Sequence, residues 1–442
     1  MPIYYADYPI FGLCCTNDSI ILSGGGGGRD YGIEDQIELY ELEECVDDRK
    51  LSANDKVSME SSLMLKYVYN TTKQKGVIDN MCFNSKLNLV AGGIRESCIL
   101  LYIEKKEQAK SIKMYLQFQT VWDGGKKGKQ NVCRFSKNGK FLITGGTDNT
   151  VRVWELSEET ENSHEVIPLK MKEFHGHDSE ILDLDMSPDN KFIISSSRNG
   201  TILVHECISG EIFKKFTVPM KNGNYIVRQC RFIENGRLNS PRRQKSNDRQ
   251  QYIVSLLLHE VRGSSFITIW NMKVSKENAS ENQNNRILFS QISSSLICDK
   301  PSSVLVVSED YNFLAVGTNT GLIKVFKNNL NELTLIKEGI FHELPVTGLQ
   351  FLSSSEYIIS SGADYSISVL NFKSKKNLQK TKTVSAERGK SGGAFTLGLK
   401  FVKYLLILLF LIIFMTIFIN YSISIGAELS SPLSDSNHSV EL

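Results

Sequence analysis

Alternating apolar and polar residues predict that the first part of the chain forms short β-strands. Over residues 36–42 polar and apolar side chains alternate with a period of two, the pattern of a strand with one buried face. Residues 8–15 and 19–22 also have the composition of short strands. Residues 23–35, which include five consecutive glycines, therefore connect two strands.

We call residues 24–35 the glycine loop. Glycine buries no side chain and loses more conformational entropy on ordering than other residues, so this run is expected to serve the backbone. A phosphate cradle would need a glycine motif that opens a helix, whereas a strand follows here. A disordered hairpin tip is the alternative. Gly32-Ile33 favours a third interpretation, because an apolar side chain at the end of a polar loop suits partner binding.

A repeated unit follows the glycine loop. Residues 131–154 have the pattern strand, turn, strand, turn, strand, and they resemble the blade of a WD-type propeller. Asn138-Gly139 permits positive φ in the first turn, and Asp148-Asn149 can accept hydrogen bonds from backbone amides in the second. Further copies, some of them degraded, cover residues 76–102, 176–205, 226–270, 302–326 and 345–370.

With the strands beside the glycine loop, these copies make seven units. The predicted fold class is all-β, a seven-bladed WD-type β-propeller over residues 1–372. The last unit shows only three strands, so residues 2–6 are predicted to supply its outer strand and close the ring. Two insertions, residues 237–251 and 274–285, are predicted to be solvated loops, with docking to acidic lipid or a partner as the alternative.

Charge and composition exclude several function classes. The net charge of +2 gives no general argument for nucleic-acid binding. The nine cysteines form no C-x-x-C pair and are expected to be buried, reduced thiols. His175 and His177 are expected to make structural hydrogen bonds rather than to bind metal. No catalytic constellation is found, so the chain is expected to act by binding and not by covalent chemistry.

The C-terminal part of the chain predicts a membrane anchor. Residues 404–425 carry no charge and are long enough, as a helix, to cross a bilayer. The linker at 373–403 is rich in lysine, while no Lys or Arg follows the helix, so the propeller is expected to face the cytosol and residues 426–442 the lumen. The short apolar core suits a thin bilayer such as that of the endoplasmic reticulum.

This order of parts resembles one family. The cytosolic propeller, the glycine loop in its first blade, the basic linker, the single membrane helix and the lumenal tail are similar to the guanine-nucleotide exchange factor of the Sar-type small GTPase. That family acts at the endoplasmic reticulum, starts assembly of coat protein complex II, and includes the prolactin regulatory element-binding proteins. Gly24 to Gly27 match its glycine run and Gly32-Ile33 match its Gly-Ile, while the Asn of the family falls on Asp35.

The resemblance implies a site and an ion. Ile33 and Asp35 would engage the GTPase, and the loop would be ordered by potassium. The candidate potassium ligands are Gly24, Gly25, Gly26, Gly27, Gly28, Gly32 and Asp35. The rival hypothesis is a membrane-anchored propeller scaffold for coat proteins or GTPase regulators that has no exchange activity. Transcriptional DNA binding, which one family name suggests, lacks a basic recognition element here.

Overall fold

The computed structural model describes residues 3–16, 18–26, 33–45, 60–71, 76–106, 109–122, 124, 128–158, 166–218, 224–233, 250–259, 263–275, 286–352 and 356–373. Within these ranges the regular secondary structure consists of β-strands alone. The strands form seven four-stranded antiparallel sheets. The prediction of an all-β, seven-bladed WD-type propeller is therefore confirmed.

The strands follow one another in simple order. A first strand, β1 (Ile3–Tyr5), precedes blade 1, which contains β2 (Ile10–Cys15), β3 (Ile20–Gly24), β4 (Gln36–Cys45) and β5 (Glu60–Asn70). Blade 2 contains β6 (Asn80–Asn84), β7 (Leu89–Ile94), β8 (Ser97–Lys106) and β9 (Ala109–Gln119). Blade 3 contains β10 (Gln130–Phe135), β11 (Phe141–Gly146), β12 (Val151–Glu158) and β13 (Val166–Phe174).

The remaining blades repeat this arrangement. Blade 4 contains β14 (Ile181–Met186), β15 (Phe192–Ser197), β16 (Thr201–Glu206) and β17 (Ile212–Thr217). Blade 5 contains β18 (Tyr225–Ile233), β19 (Gln250–His259), β20 (Ser265–Ser275) and β21 (Arg286–Cys298). Blade 6 contains β22 (Ser302–Val307), β23 (Phe313–Thr318), β24 (Leu322–Asn328) and β25 (Leu333–Ile340). Blade 7 contains β26 (Val346–Phe351), β27 (Tyr357–Gly362) and β28 (Ser366–Asn371).

The N-terminal strand completes blade 7. β1 pairs antiparallel with β28, with Ile3 opposite Ser368 and Tyr5 opposite Ser366. The backbone N–H of Ala6 continues this pairing by donating to the carbonyl of Tyr365 at 2.8 Å. The predicted closure of the ring by residues near the N-terminus is therefore confirmed.

The apolar core lies between blades and not inside single sheets. Among the described residues it divides into seven clusters, each shared by two consecutive blades. One cluster joins blade 7 to blade 1 through residues such as Ile10, Leu22 and Ile367. Each blade therefore depends on both neighbours to bury its two faces, as propeller architecture requires. The eight described cysteines are free thiols, six of them buried.

Turn and histidine chemistry agree with the sequence. Gly139 and Asn149 have positive φ, of 74° and 60°. The carboxylate of Asp148 accepts from the backbone N–H of Thr150 at 3.4 Å. The buried His177 bonds Ser195 Oγ through Nε2 at 2.8 Å, as expected of a structural histidine.

The two insertions are shorter than predicted. Gln250 and Gln251 belong to β19, where they pair with β20, and Val274 and Ser275 belong to β20, where they pair with β21. The other residues of both insertions, 237–249 and 276–285, lie outside the described ranges. Their prediction as loops stays open.

The membrane anchor stays a prediction. Among the residues that the structure describes, none belongs to a helix long and apolar enough to cross a membrane. Residues 374–442 lie outside the described residues. They include the predicted membrane helix, the tail and all of the linker except Lys373.

Candidate functional site

The glycine loop joins the second and third strands of blade 1. In a sheet of four sequential antiparallel strands, this connection lies at the same end as the connection from the outer strand to the next blade. We call that end of the propeller the upper face. It carries the glycine loop, the residues between β1 and β2, and the residues between β5 and β6. Gly27, Gly28 and Gly32 lie outside the described residues, which show the two legs of the loop.

The first leg of the loop packs closely against the segment that precedes β2. Gly24 is the last residue of β3, and a Cβ placed there would overlap the carbonyl oxygen of Pro9 and the ring of Tyr8. The backbone N–H of Gly25 donates to the same Pro9 carbonyl at 3.3 Å. These two glycines are therefore required because neighbouring atoms fill the space of a side chain. The close contacts of this pair add a packing reason to the backbone role that the sequence predicted.

The second leg is fastened to the end of the outer strand. The carbonyl of Asp35 accepts from the backbone N–H of Thr71 at 2.7 Å. Asn70 Nδ2 donates to the carboxylate of Glu34. The Asp35 side chain is 4% exposed and lies against the Cα of Gly25, where a Cβ would overlap it. Both legs are thus anchored, and Asp35 lies at the base of the loop, not at its tip.

Ile33 also belongs to the base. It is half-buried and packs against the cluster between blades 7 and 1. A Cβ at Gly26 would lie 2.8 Å from the Cβ of Ile33, so the two legs run side by side here. The sequence suggested a fully exposed apolar side chain. The structure corrects this, because ring closure brings the core of blade 7 against the first blade.

A buried carboxylate lies beneath the loop. Glu38 is 6% exposed and accepts hydrogen bonds from Gln36 Nε2 at 2.9 Å and from the Tyr40 hydroxyl at 2.6 Å. Burial, and then the charge of Glu38, raise the pKa of Tyr8 above its usual value. Burial and the hydrogen bond to Glu38 raise the pKa of Tyr40 in the same way. The base of the loop therefore concentrates oxygen ligands and negative charge around two phenols that stay protonated.

The base of the loop offers oxygen atoms as candidate ligands. Two buried carboxylates, Asp35 and Glu38, lie at the base of a loop whose glycine carbonyls have no Cβ beside them. Hard cations prefer such oxygen ligands. Within the described part of the chain, no group of three or more His, Cys, Asp and Glu side chains could hold a metal ion.

Sequence reasoning missed the residues that anchor the loop. Tyr8, Glu38, Asn70 and Thr71 were not among the predicted site residues. One signal was present: Gln36, Glu38 and Tyr40 alternate with buried apolar residues along β4, which places all three on one face of the strand. The contributions of Asn70 and Thr71 depend on the pairing of β4 with β5.

Comparisons with known proteins support the fold. The model of the WD domain, G-beta repeat, matches residues 117–155 and 169–206. Each match begins in the outer strand of one blade and continues through three strands of the next. The crystal structure of the WD40 beta propeller domain of Doa1 is similar, with a TM-score of 0.51 and 10% sequence identity over 83% of this chain and 94% of that one.

Two relatives differ in how much they align. The chain is 27% identical over 101 residues to BEACH domain-containing protein lvsD of Dictyostelium discoideum, which is 23% of this chain and 3% of that protein. It is 23% identical over 388 residues to guanine nucleotide-exchange factor SEC12 of Rattus norvegicus, which is 79% of this chain and 82% of that protein. The chain thus combines a WD propeller with a distant likeness to an exchange factor over most of its length.

Proposed function

We propose that the chain is a guanine-nucleotide exchange factor for a Sar-type small GTPase. The observation that carries the proposal is the alignment with SEC12, which extends over 79% of this chain and 82% of the relative. The match to lvsD, in contrast, covers 101 residues of this chain. An exchange factor needs no covalent chemistry, since it binds the nucleotide-free GTPase more tightly than the GDP-bound form.

The anchored glycine loop supports this mechanism. Its first leg is held by Tyr8 and Pro9 and its second by Asn70 and Thr71, so both described ends of the loop are fixed. Fixing the two ends lowers the entropy cost of ordering the loop on the partner, which leaves more binding free energy for opening the nucleotide site. Ile33, half-buried beside Gly26, would hold the loop at a defined angle and offer its remaining surface to the GTPase.

Potassium fits as the ion that orders the loop. Asp35 and the carbonyls of Gly24 to Gly28 and of Gly32 would hold it. A bound cation would supply positive charge beside the buried carboxylates. Asp35 replaces a neutral Asn of the family, and its charge is expected to tighten cation binding.

We further propose that this activity lies at the endoplasmic reticulum membrane, with the propeller in the cytosol. The support is the apolar run at 404–425 and the lysines before it. The Sar-type GTPase would be the direct partner, and components of coat protein complex II would follow it.

The decisive experiment measures nucleotide release. The purified full-length chain is mixed with a Sar-type GTPase loaded with a fluorescent GDP analogue, in excess GTP. The chain is expected to accelerate release, and Ile33→Ala is expected to lower the acceleration about tenfold, as loss of an interface anchor does. Replacing potassium by tetramethylammonium is expected to lower it as well. If the chain accelerates nothing, the scaffold hypothesis replaces exchange.

A matched control separates function from packing. Leu63 is half-buried against the same cluster as Ile33 but lies toward the far end of β5. Ile33→Ala and Leu63→Ala are expected to cost similar, modest amounts of stability, about 1 kcal/mol. Only the first should slow exchange. If both variants accelerate nucleotide release equally, Ile33 does not take part in the exchange site.

A further inference from the structure

The blades surround an axial channel whose upper rim is shaped by β-bulges. The channel has a volume of about 760 Å³. In six blades the innermost strand has a register shift at one residue near the upper face, and each of these residues lines the channel: Phe11, Asn131, Leu182, Arg228, Ser303 and Thr347. A bulge turns a side chain away from the regular pleat. These six side chains therefore contribute to the surface of the channel mouth.

Positive charge is in excess on one side of the mouth. Arg228 lies at the bulge of blade 5, and Nε of its guanidinium donates to the Ser303 carbonyl at 3.5 Å. Arg198, in the turn between β15 and β16, bonds the carboxylate of Glu180 at 2.6 Å. Within the described residues Arg228 forms no ion pair of its own. Arg228 is exposed, and its charged neighbours are Arg198 and the carboxylate of Glu180.

A cleft of about 270 Å³ opens beside these arginines, between blades 4, 5 and 6. Its walls are largely apolar and include Leu182, Ile226, Leu258 and Pro301. Ser302, at 1% exposure, also lines the cleft, and its hydroxyl has no hydrogen-bond partner among the described residues. Buried hydroxyls are normally paired, so this one marks a polar atom of the cleft wall that the described residues leave unsatisfied.

We propose that this cleft binds an acidic peptide segment of a partner protein. A carboxylate of the peptide pairs with the guanidinium groups of Arg228 and Arg198, and an adjacent apolar side chain enters the cleft between Leu182 and Pro301. Arginine is suited to the first contact because its planar fork binds a carboxylate through two parallel hydrogen bonds. The site lies over blades 4 to 6, apart from the glycine loop in blade 1, and is independent of exchange activity.

The apolar walls favour a peptide over a free phosphate or a polyphosphate. A phosphate group is strongly hydrated and gains nothing from Leu182, Ile226 or Leu258. A peptide with alternating acidic and apolar side chains satisfies both halves of the cleft. Binding is expected to weaken as salt is raised, because exposed charges are screened over about 10 Å at 0.1 M ionic strength.

The test measures fluorescence anisotropy of a labelled peptide, Gly-Asp-Glu-Leu-Asp-Glu-Gly, on the full-length chain. Arg228→Gln is expected to weaken binding about tenfold or more, since one partner of the charged contact is lost. Arg228→Lys keeps the charge but not the fork and is expected to give an intermediate loss. The melting temperature of each variant shows that it is folded.

Controls distinguish this site from general attraction. Arg95 is exposed in the turn between β7 and β8 of blade 2, which is equivalent to the turn of Arg198 in blade 4. Arg95→Gln is expected to leave peptide binding unchanged. The peptide with Asn and Gln in place of its acids, and the peptide with Gly in place of Leu, are expected to bind weakly. The proposal is overturned if Arg228→Gln and Arg95→Gln bind alike, or if the neutral peptide binds as well as the acidic one. It is also overturned if inositol hexakisphosphate binds while the peptide does not.

Discussion

Two of the loop glycines act as spacers between packed groups. Gly24 is needed because the Tyr8 ring and the Pro9 carbonyl occupy the position of its Cβ, and Gly25 because the Asp35 side chain does. Gly25 also has a φ of 149°, at which an L side chain is strained. At Gly26 the neighbour is the half-buried Ile33, which can move. Alanine at these three positions is therefore expected to lower stability by different amounts.

We expect Gly24→Ala to destabilise the protein by about 2 kcal/mol, because overpacking a full site costs roughly 1 to 3 kcal/mol. Gly25→Ala is expected to cost a similar amount by displacing Asp35. Gly26→Ala is expected to cost less in stability but to slow exchange by shifting Ile33. Urea unfolding followed by tryptophan fluorescence measures the order. Equal stability of all three variants would show that the loop base is looser than its contacts indicate.

His177 makes stability depend on pH. Burial, and then the neighbouring His205, lower the pKa of His177 from 6.5 to about 4. The folded protein therefore keeps this ring neutral where the unfolded chain would protonate it. The stabilisation is complete above pH 6.5 and is lost as the pH falls toward 4. Asp185 acts in the opposite direction, because burial raises its pKa to about 6 and the folded state takes up a proton first.

When the pH is lowered from 7.5 to 5, we expect the free energy of unfolding to fall by about 2 kcal/mol less for His177→Gln than for the wild type. The reason is that the variant lacks the ring whose pKa is lowered on folding. The free energy of unfolding in urea at the two pH values measures this. His175→Gln is the control, because His175 is exposed two residues away. Asp185 contributes equally to both proteins and cancels in the comparison. Parallel pH profiles for wild type and His177→Gln would contradict the assignment.

At the scale of elements, the ring depends on a three-residue strand. β1 covers one edge of β28 and brings Tyr8 and Ile10 to the junction of blades 7 and 1. An uncovered β28 would present an open edge that can pair with other chains. Deletion of residues 1–6 is therefore expected to lower the melting temperature by several degrees and to cause aggregation, measured by calorimetry and size-exclusion chromatography. Tyr5→Ser, at a side chain 69% exposed, is the control and is expected to leave both unchanged.

The sequence predicted the elements better than their contacts. The turns at Asn138-Gly139 and Asp148-Asn149 were predictable because their chemistry is local, and the role of residues 2–6 followed from a missing strand. The bulge at Arg228 was not predictable, because a register shift depends on which residues of the neighbouring strand pair with it. The burial of Ile33 and Asp35 was missed for a similar reason. Their neighbours come from other segments: Thr71 is placed by the pairing of β4 with β5, and the cluster around Ile33 and Tyr8 forms where blades 7 and 1 meet.

At the scale of the whole molecule, the remaining hypothesis is the orientation of the chain in a membrane. The lysine-rich segment before residue 404 predicts that the propeller stays in the cytosol. On intact microsomes we expect the propeller to be digested by added protease while the tail is protected. Asn437 lies in an Asn-His-Ser glycosylation motif and is expected to carry a glycan. A glycan on Asn70, in Asn-Thr-Thr, would instead place the propeller in the lumen.

The pairing of β1 with β28 also bears on synthesis of the protein. The ribosome makes β1 before every other described strand, yet its partner β28 emerges last among them. The ring can therefore close only after β28 has been made. The pairing of residues 3 and 368 joins positions that lie at opposite ends of the propeller sequence. Non-local pairing of this kind slows folding. A nascent chain that ends before residue 366 would lack β28, so the junction between blades 7 and 1 would stay incomplete. Chaperones and proteases could recognise the exposed apolar residues there. We therefore do not expect such a shortened protein to reach the native state.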